Sequence, residues 1–279
     1  MPSRLNKRCA LLKVFFLAVV LVGLISLLAC RDNDEGEKAN DQSASAAAGQ
    51  PTQQKPDQKD ADEGEESAPT SGMAAVERPA PAQAAGQQLA YNFDSDSVGQ
   101  LPNKFHSART GQGSESKWAI LADPTAPSKP NVVAQTSIDK TDYRFPLLIA
   151  DEGSFHDLDI SVKFKAVSGR VDQAGGLIFR VKDANNYYIV RANALEDNYR
   201  LYHVVNGNRV QFAGANFKVS SGAWHELRVE AAGNKFTCYF DGAKKIEAMD
   251  DTFKDAGKVG LWTKADSVTY FDDLRVTAK

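Results

Sequence analysis

Hydrophobic and polar positions divide the chain into three parts with different patterns. Residues 14–29 form a continuous apolar run, residues 31–88 contain almost no aromatic or β-branched residue, and from Leu89 onward short apolar runs alternate with polar residues. Alternation with a period of two is typical of β-strands that bury one face, because successive side chains point to opposite sides of a strand. The pattern predicts one β-rich folded domain over residues 89–279, preceded by a long polar segment.

The clearest alternation lies in residues 158–166. The side chains predicted to face inward there are Leu158, Ile160, Val162 and Phe164. The same period predicts that Cys238 lies on a buried strand face, where a cysteine behaves as a small hydrophobic residue and not as a nucleophile. No long amphipathic helix is predicted, and residues 250–256 are predicted to form one short helical turn.

Turn dipeptides separate the predicted strands. Asn206-Gly207, Gly233-Asn234 and Asp241-Gly242 supply residues that adopt the positive φ angles of two-residue hairpins, and residues 183–186 form a longer turn. About a dozen antiparallel strands in one domain of this length form two packed sheets. The predicted fold class is therefore all-β, a two-sheet antiparallel jelly-roll sandwich.

The N-terminal segment has the layout of a secretory signal. Four basic residues precede the apolar run, and no acidic residue occurs before Asp32. The run ends in Leu27-Leu28-Ala29-Cys30, which resembles the lipobox of bacterial lipoproteins. That resemblance implies that residues 1–29 are removed and that Cys30 is lipidated. The alternative is an uncleaved membrane helix, but residues 14–29 are fewer than the roughly 20 needed to cross a bilayer.

The polar segment that follows Cys30 is predicted to be a disordered tether. Residues 31–88 contain 12 acidic and 5 basic residues, a net charge of −7. Such a composition cannot bury enough apolar surface to offset the entropy of ordering the chain. The segment has an rms reach of roughly 40 Å as a flexible coil. We therefore expect a domain held by Cys30 on a lipid bilayer in the bacterial cell envelope, facing the periplasm or the cell exterior; an interaction tail is the alternative role.

Charge and cysteine content exclude several function classes for the folded part. Residues 89–279 contain 24 basic and 24 acidic residues, so no basic surface is expected to attract nucleic acid. Cys238 is the only cysteine there and has no partner for an internal disulfide. The four histidines show no zinc-ligand spacing.

Several motifs in the second half of the chain resemble those of a known superfamily. They are Gly-Gly-Leu-Ile-Phe-Arg at residues 175–180, Trp-His-Glu-Leu-Arg-Val at 224–229, Tyr-Phe-Asp-Gly at 239–242, Gly-Lys-Val-Gly-Leu-Trp at 257–262 and Tyr-Phe-Asp-Asp-Leu-Arg-Val at 270–276. This cadence resembles the concanavalin A-like lectin/glucanase superfamily. The nearest groups are laminin G-like modules and the bacterial 3-keto-disaccharide hydrolase domain, which is related to family 16 glycoside hydrolases. The resemblance implies a jelly roll whose concave face handles carbohydrate.

Family 16 chemistry is not expected. Those enzymes carry Glu-x-Asp-x-x-Glu on one strand, which places the nucleophile and the general acid about 5–5.5 Å apart. The motif is absent from this chain.

Four polar residues are predicted to converge on one sheet surface: Arg180, Arg191, Asn193 and His203. Arginine, asparagine and histidine hydrogen-bond sugar hydroxyls, and nearby aromatic rings stack on sugar rings. Trp118 is a further candidate, as a sugar platform. The alternative is a partly solvated sheet face with ordinary cross-strand pairs.

A structural calcium ion is a further hypothesis. Asp94 and Asp96 lie near the first strand, and Asp272 and Asp273 lie in the last. Carboxylates and backbone carbonyls are ligands that calcium prefers, and carbohydrate-binding jelly rolls often hold calcium where the terminal strands meet. The alternative is that these acids cap turns and are solvated at strand ends.

Three functions are compatible with these features. The leading hypothesis is a lipoprotein that binds a glycan or a small sugar. The second is an enzyme of the 3-keto-disaccharide hydrolase type, and the third is a protein-interaction module of the envelope. A polar pocket favours the enzyme, a groove lined by aromatic rings favours the lectin, and a flat apolar patch favours the protein partner.

Overall fold

The computed structural model describes residues 86–279, which form fifteen β-strands and no helix. The strands are β1 Gln88–Tyr91, β2 Phe105–Gly111, β3 Trp118–Ala122, β4 Asn131–Gln135, β5 Arg144–Ala150, β6 Leu158–Ser168, β7 Ala174–Asp183, β8 Asn186–Asn193, β9 Asn198–Val205, β10 Asn208–Asn216, β11 Trp224–Ala232, β12 Lys235–Phe240, β13 Ala243–Met249, β14 Lys258–Trp262 and β15 Val268–Ala278. The predicted signal segment, Cys30 and nearly all of the predicted tether lie outside the described residues and stay predictions.

Residues 86–279 contain no helix long and apolar enough to span a membrane.

The strands form two antiparallel sheets. The eight-stranded sheet has the order β13-β12-β11-β6-β15-β4-β3, with β1 also paired to β15, and the seven-stranded sheet has the order β10-β9-β8-β7-β14-β5-β2. The two sheets pack face to face around one large apolar core. The predicted jelly-roll sandwich is confirmed.

The predicted alternation is confirmed in the strands where it was clearest. In β6 the inward set Leu158, Ile160, Val162 and Phe164 is buried, and the residues between them are partly exposed. Cys238 is buried in β12 with a free thiol. Burial raises the pKa of this thiol well above its ordinary value, so Cys238 is held as an unreactive thiol.

The hairpin turns lie where the dipeptides predict them. Asn206 and Gly207 have φ angles of 50° and 82° between β9 and β10, and Asp241 and Gly242 have φ angles of 48° and 76° between β12 and β13. The prediction of a helical turn at residues 250–256 is wrong, because that segment is an irregular loop.

The loop is held by side chains that replace helical hydrogen bonds. The Asp250 carboxylate accepts the Tyr188 hydroxyl at 2.6 Å and the Thr252 amide at 2.8 Å. The Phe253 carbonyl accepts a hydrogen bond from Arg180 Nη1 at 2.9 Å. These contacts fix the segment against the edge of the sandwich.

The seven-stranded sheet is strongly curved. Its concave side is the face that does not pack against the eight-stranded sheet. Neighbouring strands are about 4.8 Å apart, so β5 and the β9–β10 hairpin would be far apart in a flat sheet. Instead the Tyr143 hydroxyl, just before β5, donates to the Gly207 carbonyl at 2.7 Å and accepts the Arg209 amide at 3.2 Å. Thr110 of β2 also reaches Tyr187 of β8, with 2.8 Å between the two hydroxyl oxygens. We call the enclosed surface the concave face.

The curl gives the concave face an apolar cluster of its own. It includes Ile178, Ile189, Val204 and Trp262, which are fully buried although they point away from the main core. The Trp262 ring stacks on Phe145, with ring centroids 5.4 Å apart. The two flanks of the sheet are therefore joined by packing as well as by hydrogen bonds.

Candidate functional site

One row of paired residues crosses the concave face. Arg191 of β8 is opposite Gly176 of β7, and Gly176 is opposite Trp262 of β14. Directly paired residues in antiparallel strands point to the same side, so Arg191 and Trp262 share this face and no side chain stands between them. A Cβ atom at Gly176 would lie 3.0 Å from Arg191 Cβ and 2.8 Å from the Val190 carbonyl oxygen. The glycine therefore allows this close approach of the two strands.

Arg191 is the centre of a buried hydrogen-bond network. Its guanidinium donates from Nη1 to Asn198 Oδ1 and from Nη2 to the Tyr202 hydroxyl at 2.9 Å. Nη2 also lies 3.0 Å from a carboxylate oxygen of Glu196. Burial acts to raise the pKa of Glu196, but the hydrogen bond from Asn198 and the charge of Arg191 outweigh it, so the pKa is lowered and Glu196 is ionised.

A second group of charges adjoins this network. Asp172 is fully buried, accepts a hydrogen bond from Asn193 Nδ2 and lies 2.7 Å from Lys264 Nζ. The same ammonium lies 2.7 Å from Asp142, which is largely exposed. Burial raises the pKa of Asp172 above its ordinary value, and Lys264 opposes that shift. Burial acts to lower the pKa of Lys264, but hydrogen bonds to the two carboxylates outweigh it, so the ammonium stays charged.

Arg209 of β10 closes the concave face from the opposite side. The Cζ atom of its guanidinium lies 4.6 Å from the centroid of Phe145, 4.7 Å from that of Tyr202 and 5.8 Å from that of Trp262. These are distances at which a cation is attracted to an aromatic ring. We call these residues together the concave-face cluster; its members are Phe145, Asp172, Arg191, Asn193, Glu196, Asn198, Tyr202, Arg209, Trp262 and Lys264.

Two arginines of this face have a buried nitrogen atom without a hydrogen-bond partner. Within residues 86–279 these atoms are Arg191 Nε and Arg209 Nη1. Buried polar groups in folded proteins almost always have partners, so a group of orphaned atoms needs an explanation such as water or a ligand. Their convergence marks the concave face as the candidate site.

Loops with exposed apolar residues border the cluster. Leu195 precedes Glu196 and Val171 precedes Asp172, and both are exposed. A depression of about 340 Å³ lies next to the segment that carries Val171 and is lined by Ile138, Lys140, Ser168, Gly169, Arg170 and Asp266.

The structure brings together only two of the predicted site residues. Arg191 and Asn193 share the concave face, where Asn193 donates a hydrogen bond to Asp172. The prediction that Arg180 joins them is wrong. A bulge in β7, with a φ angle of 47° at Arg180, turns this side chain away from the concave face.

Arg180 instead binds three backbone segments. Its guanidinium donates to the carbonyl oxygens of His156 and Phe253, each at 2.9 Å, and to that of Gly233. It also lies 5.4 Å from the Phe236 ring centroid, in the main core. Burial lowers the pKa of Arg180 from its ordinary value. These contacts assign it a structural role.

His203 also lies on the other side of the sheet. It is paired with Tyr188, a residue of the main core, whereas its neighbour Tyr202 faces the concave side. His203 stacks on Phe212 and its Nδ1 lies 3.1 Å from an Asp250 carboxylate oxygen. The prediction that His203 lies on the concave face is therefore wrong, and its neighbour Tyr202 lies there instead.

Trp118 is not an open platform. It is 6% exposed, belongs to the main core and packs against Phe271 with ring centroids 5.9 Å apart. The prediction that it presents a surface to sugar is wrong, because β3 is covered by the packing of the two sheets.

The four acids of the calcium hypothesis are engaged by protein donors. Asp272 accepts hydrogen bonds from Ser128 N at 2.8 Å and Ser128 Oγ at 2.9 Å, and burial raises its pKa to about 6. Asp94 accepts the Asn131 amide at 3.1 Å, Asp96 accepts the Asn103 side chain at 2.6 Å, and Asp273 pairs with Arg275 at 2.9 Å. Among residues 86–279 no three His, Cys, Asp or Glu side chains are grouped to hold a metal ion. The calcium site stays a prediction.

Sequence reasoning missed most of the concave-face cluster. The register of the β9–β10 hairpin could have placed Tyr202 and Arg209 there, because a two-residue turn at Asn206-Gly207 pairs Val204 with Arg209. Asp172 and Lys264 lie in loops and carry no periodic signal, so only the folded chain brings them together.

Comparison with known proteins agrees with this architecture. Residues 103–277 match the model of the 3-keto-alpha-glucoside-1,2-lyase-like domain. The chain belongs to this family. The membership confirms the resemblance to the 3-keto-disaccharide hydrolase group and to concanavalin A-like jelly rolls.

Individual relatives carry related folds. A levanase of Bacillus subtilis (strain 168) is 30% identical over 116 residues, which is 41% of this chain but only 17% of the levanase. The carbohydrate-binding module CBM66 from Bacillus subtilis has a TM-score of 0.51 and 21% identity, covering 63% of this chain and 96% of the module. The cellulose induced protein Cip1 also has a TM-score of 0.51, with 9% identity, covering 68% of this chain and 97% of Cip1. The two structural likenesses show the fold.

Proposed function

We propose that this chain is a bacterial envelope lipoprotein whose jelly roll binds a glycan or a glycan-derived sugar on its concave face. The observation that carries the proposal is that Arg191 and Arg209, on one face lined by aromatic rings, each have a buried nitrogen atom without a partner. Sugar hydroxyls satisfy such groups, and aromatic rings pack on the apolar faces of sugar rings. Family membership and the fold shared with a carbohydrate-binding module support the same conclusion.

Binding is tested with the full chain purified in detergent micelles. Ligand-observed NMR follows a panel of plain and 3-keto disaccharides and oligosaccharides, so that binding and turnover are read in the same tube. We expect Arg191→Ala to weaken binding about tenfold or more, because charge-assisted hydrogen bonds are lost. His203→Ala is the matched control, since His203 lies on the opposite side of the same sheet. Binding that survives in Arg191→Ala but fails in His203→Ala would refute this site.

The lipid anchor is tested separately. We expect Cys30→Ala to move the protein from the membrane fraction to the soluble fraction and to abolish lipid mass on the N-terminal peptide. Unchanged membrane association in this variant would instead favour an uncleaved helix at residues 14–29.

Cleavage of a 3-keto glucoside is the second candidate function, and family membership together with Asp172 favours it. A carbonyl at C3 of a sugar acidifies the C2 proton. Removal of that proton by a carboxylate, with departure of the C1 oxygen and its protonation, breaks the glycosidic bond. Asp172 is a buried carboxylate with a raised pKa beside Lys264, an arrangement typical of groups that transfer protons.

Asp172→Asn separates the two functions. If the protein is an enzyme, this variant loses turnover of 3-keto substrates while it still binds them. If sugars bind to the unmodified chain and no product forms from any of them, the protein is a binding module. If no sugar binds at all, the result favours a function in binding a protein partner.

A further inference from the structure

The guanidinium of Arg209 is held by aromatic rings alone. It lies against Phe145, Tyr202 and Trp262, and it makes no hydrogen bond or ion pair with any other side chain or carbonyl in residues 86–279. Its Nη1 atom is buried without a partner. Stacking on ring faces orients the guanidinium plane but leaves the N–H groups at its edge unsatisfied.

A second unsatisfied donor lies close to it. Arg191 and Arg209 contact the same Tyr202 ring, with Cζ atoms 5.7 Å and 4.7 Å from its centroid. Arg191 Nε is also buried without a partner. Each of the two arginines beside the Tyr202 ring therefore has an unpartnered donor.

Two amide oxygens of the concave-face cluster already accept hydrogen bonds. Asn198 Oδ1 accepts from Arg191, and Asn193 Oδ1 accepts the Leu195 amide at 2.9 Å. The Asp172 carboxylate contacts Asn193 and Lys264. A sugar hydroxyl both donates and accepts, so it needs a protein acceptor as well as a donor, whereas a carboxylate only accepts.

We propose that the concave face selects acidic sugars and that Arg209, together with Arg191, binds the carboxylate of a uronic acid residue. This inference rests on the proposed sugar-binding function and names the class of sugar. A guanidinium matches a carboxylate in a bidentate geometry. The Phe145 and Trp262 rings keep the Arg209 fork in one orientation, so little side-chain entropy is lost on binding.

The test compares uronic acid disaccharides with their methyl esters. The esters keep the sugar ring and every hydroxyl group, and they remove only the charge. Isothermal titration calorimetry of the full chain in detergent micelles is expected to show that at least one acid binds about tenfold or more tightly than its ester. Arg209→Gln is expected to abolish the difference in affinity between the acid and its ester.

Two further variants keep the result interpretable. Arg209→Lys keeps the charge without the planar fork and is expected to bind the acid with intermediate affinity. Arg275→Gln removes an exposed arginine of the other sheet and is expected to behave as the unmodified chain. If Arg209→Gln does not fold, as read by circular dichroism, the Arg209→Lys variant decides.

The outcomes separate this inference from the proposed function. Equal affinity for acids and esters overturns the acidic-sugar assignment and leaves sugar binding intact. Loss of acid selectivity in Arg275→Gln but not in Arg209→Gln also overturns it. If neither the acids, the esters nor the plain sugars bind, both the inference and the proposed function fail.

Discussion

Replacing Lys264 by methionine is expected to destabilise the fold in a pH-dependent manner. Lys264 is the cation closest to the buried carboxylate of Asp172, at 2.7 Å, and methionine fills a similar volume without charge. Removing one partner of a buried ion pair costs about 3–5 kcal/mol, because the other charge is left uncompensated. The second contact, to largely exposed Asp142, adds less than about 1 kcal/mol. For a domain of this size the loss corresponds to a fall in Tm of roughly 6–20 °C.

The sign of the pH dependence follows from Asp172. Burial already raises its pKa in the folded state, and loss of Lys264 raises it further. A carboxyl group whose folded pKa exceeds its unfolded pKa of about 3.9 destabilises the fold only when it is ionised. The penalty is therefore absent below the unfolded pKa and grows as the pH rises through the folded pKa. We expect the stability difference between the unmodified chain and Lys264→Met to be larger at pH 7.5 than at pH 4.5.

Urea unfolding followed by tryptophan fluorescence measures this difference, because Trp262 is buried on the same face. The double variant Lys264→Met/Asp172→Asn is expected to recover at least about 2 kcal/mol of the loss, since no charge remains to be buried. Asp142→Asn is the control and should cost less than about 1 kcal/mol. Equal destabilisation at the two pH values, or no recovery in the double variant, would refute the reasoning.

Two further variants test other parts of the structure. Arg180→Leu is expected to cost about 3 kcal/mol in urea unfolding, because three partly buried carbonyl oxygens lose their donor. Sugar binding by the fraction that remains folded is expected to be unchanged, and loss of binding without loss of stability would contradict the structural role. Tyr143→Phe is expected to lower the free energy of unfolding by about 1 kcal/mol and to accelerate hydrogen exchange of the Arg209 amide, because the hydroxyl that joins the two flanks of the curved sheet is gone. Unchanged exchange would show that packing alone holds the flanks together.

Local sequence patterns were sufficient for most of the fold. The alternation in β6 and the turn at Asn206-Gly207 depend on interactions between near neighbours, and both are found where the patterns predict them. The error at residues 250–256 has a different cause. Their conformation is set by Tyr188 and Arg180, which are distant in the chain.

The candidate site was predictable only in part. Arg191 and Asn193 were found because they share one strand face, and that face follows from the period of two. Arg180 was misplaced because a bulge reverses the side-chain direction, and a bulge leaves no mark in the alternation. His203 was misplaced because the register between β8 and β9 determines which face of β9 is concave.

The alternation of polar and apolar side chains and the turn chemistry are enough to predict the all-β class, the positions of most strands and hairpins, and most of the residues that fill the main core. The amino-acid sequence also carries the motifs of the family to which the chain belongs. The curl of the seven-stranded sheet, the contact of Arg209 with the rings of Phe145 and Trp262, and the pairing of Asp172 with Lys264 are visible only in the folded chain. These contacts join residues far apart in the chain, so they depend on twist, bulges and loop paths that no local pattern encodes.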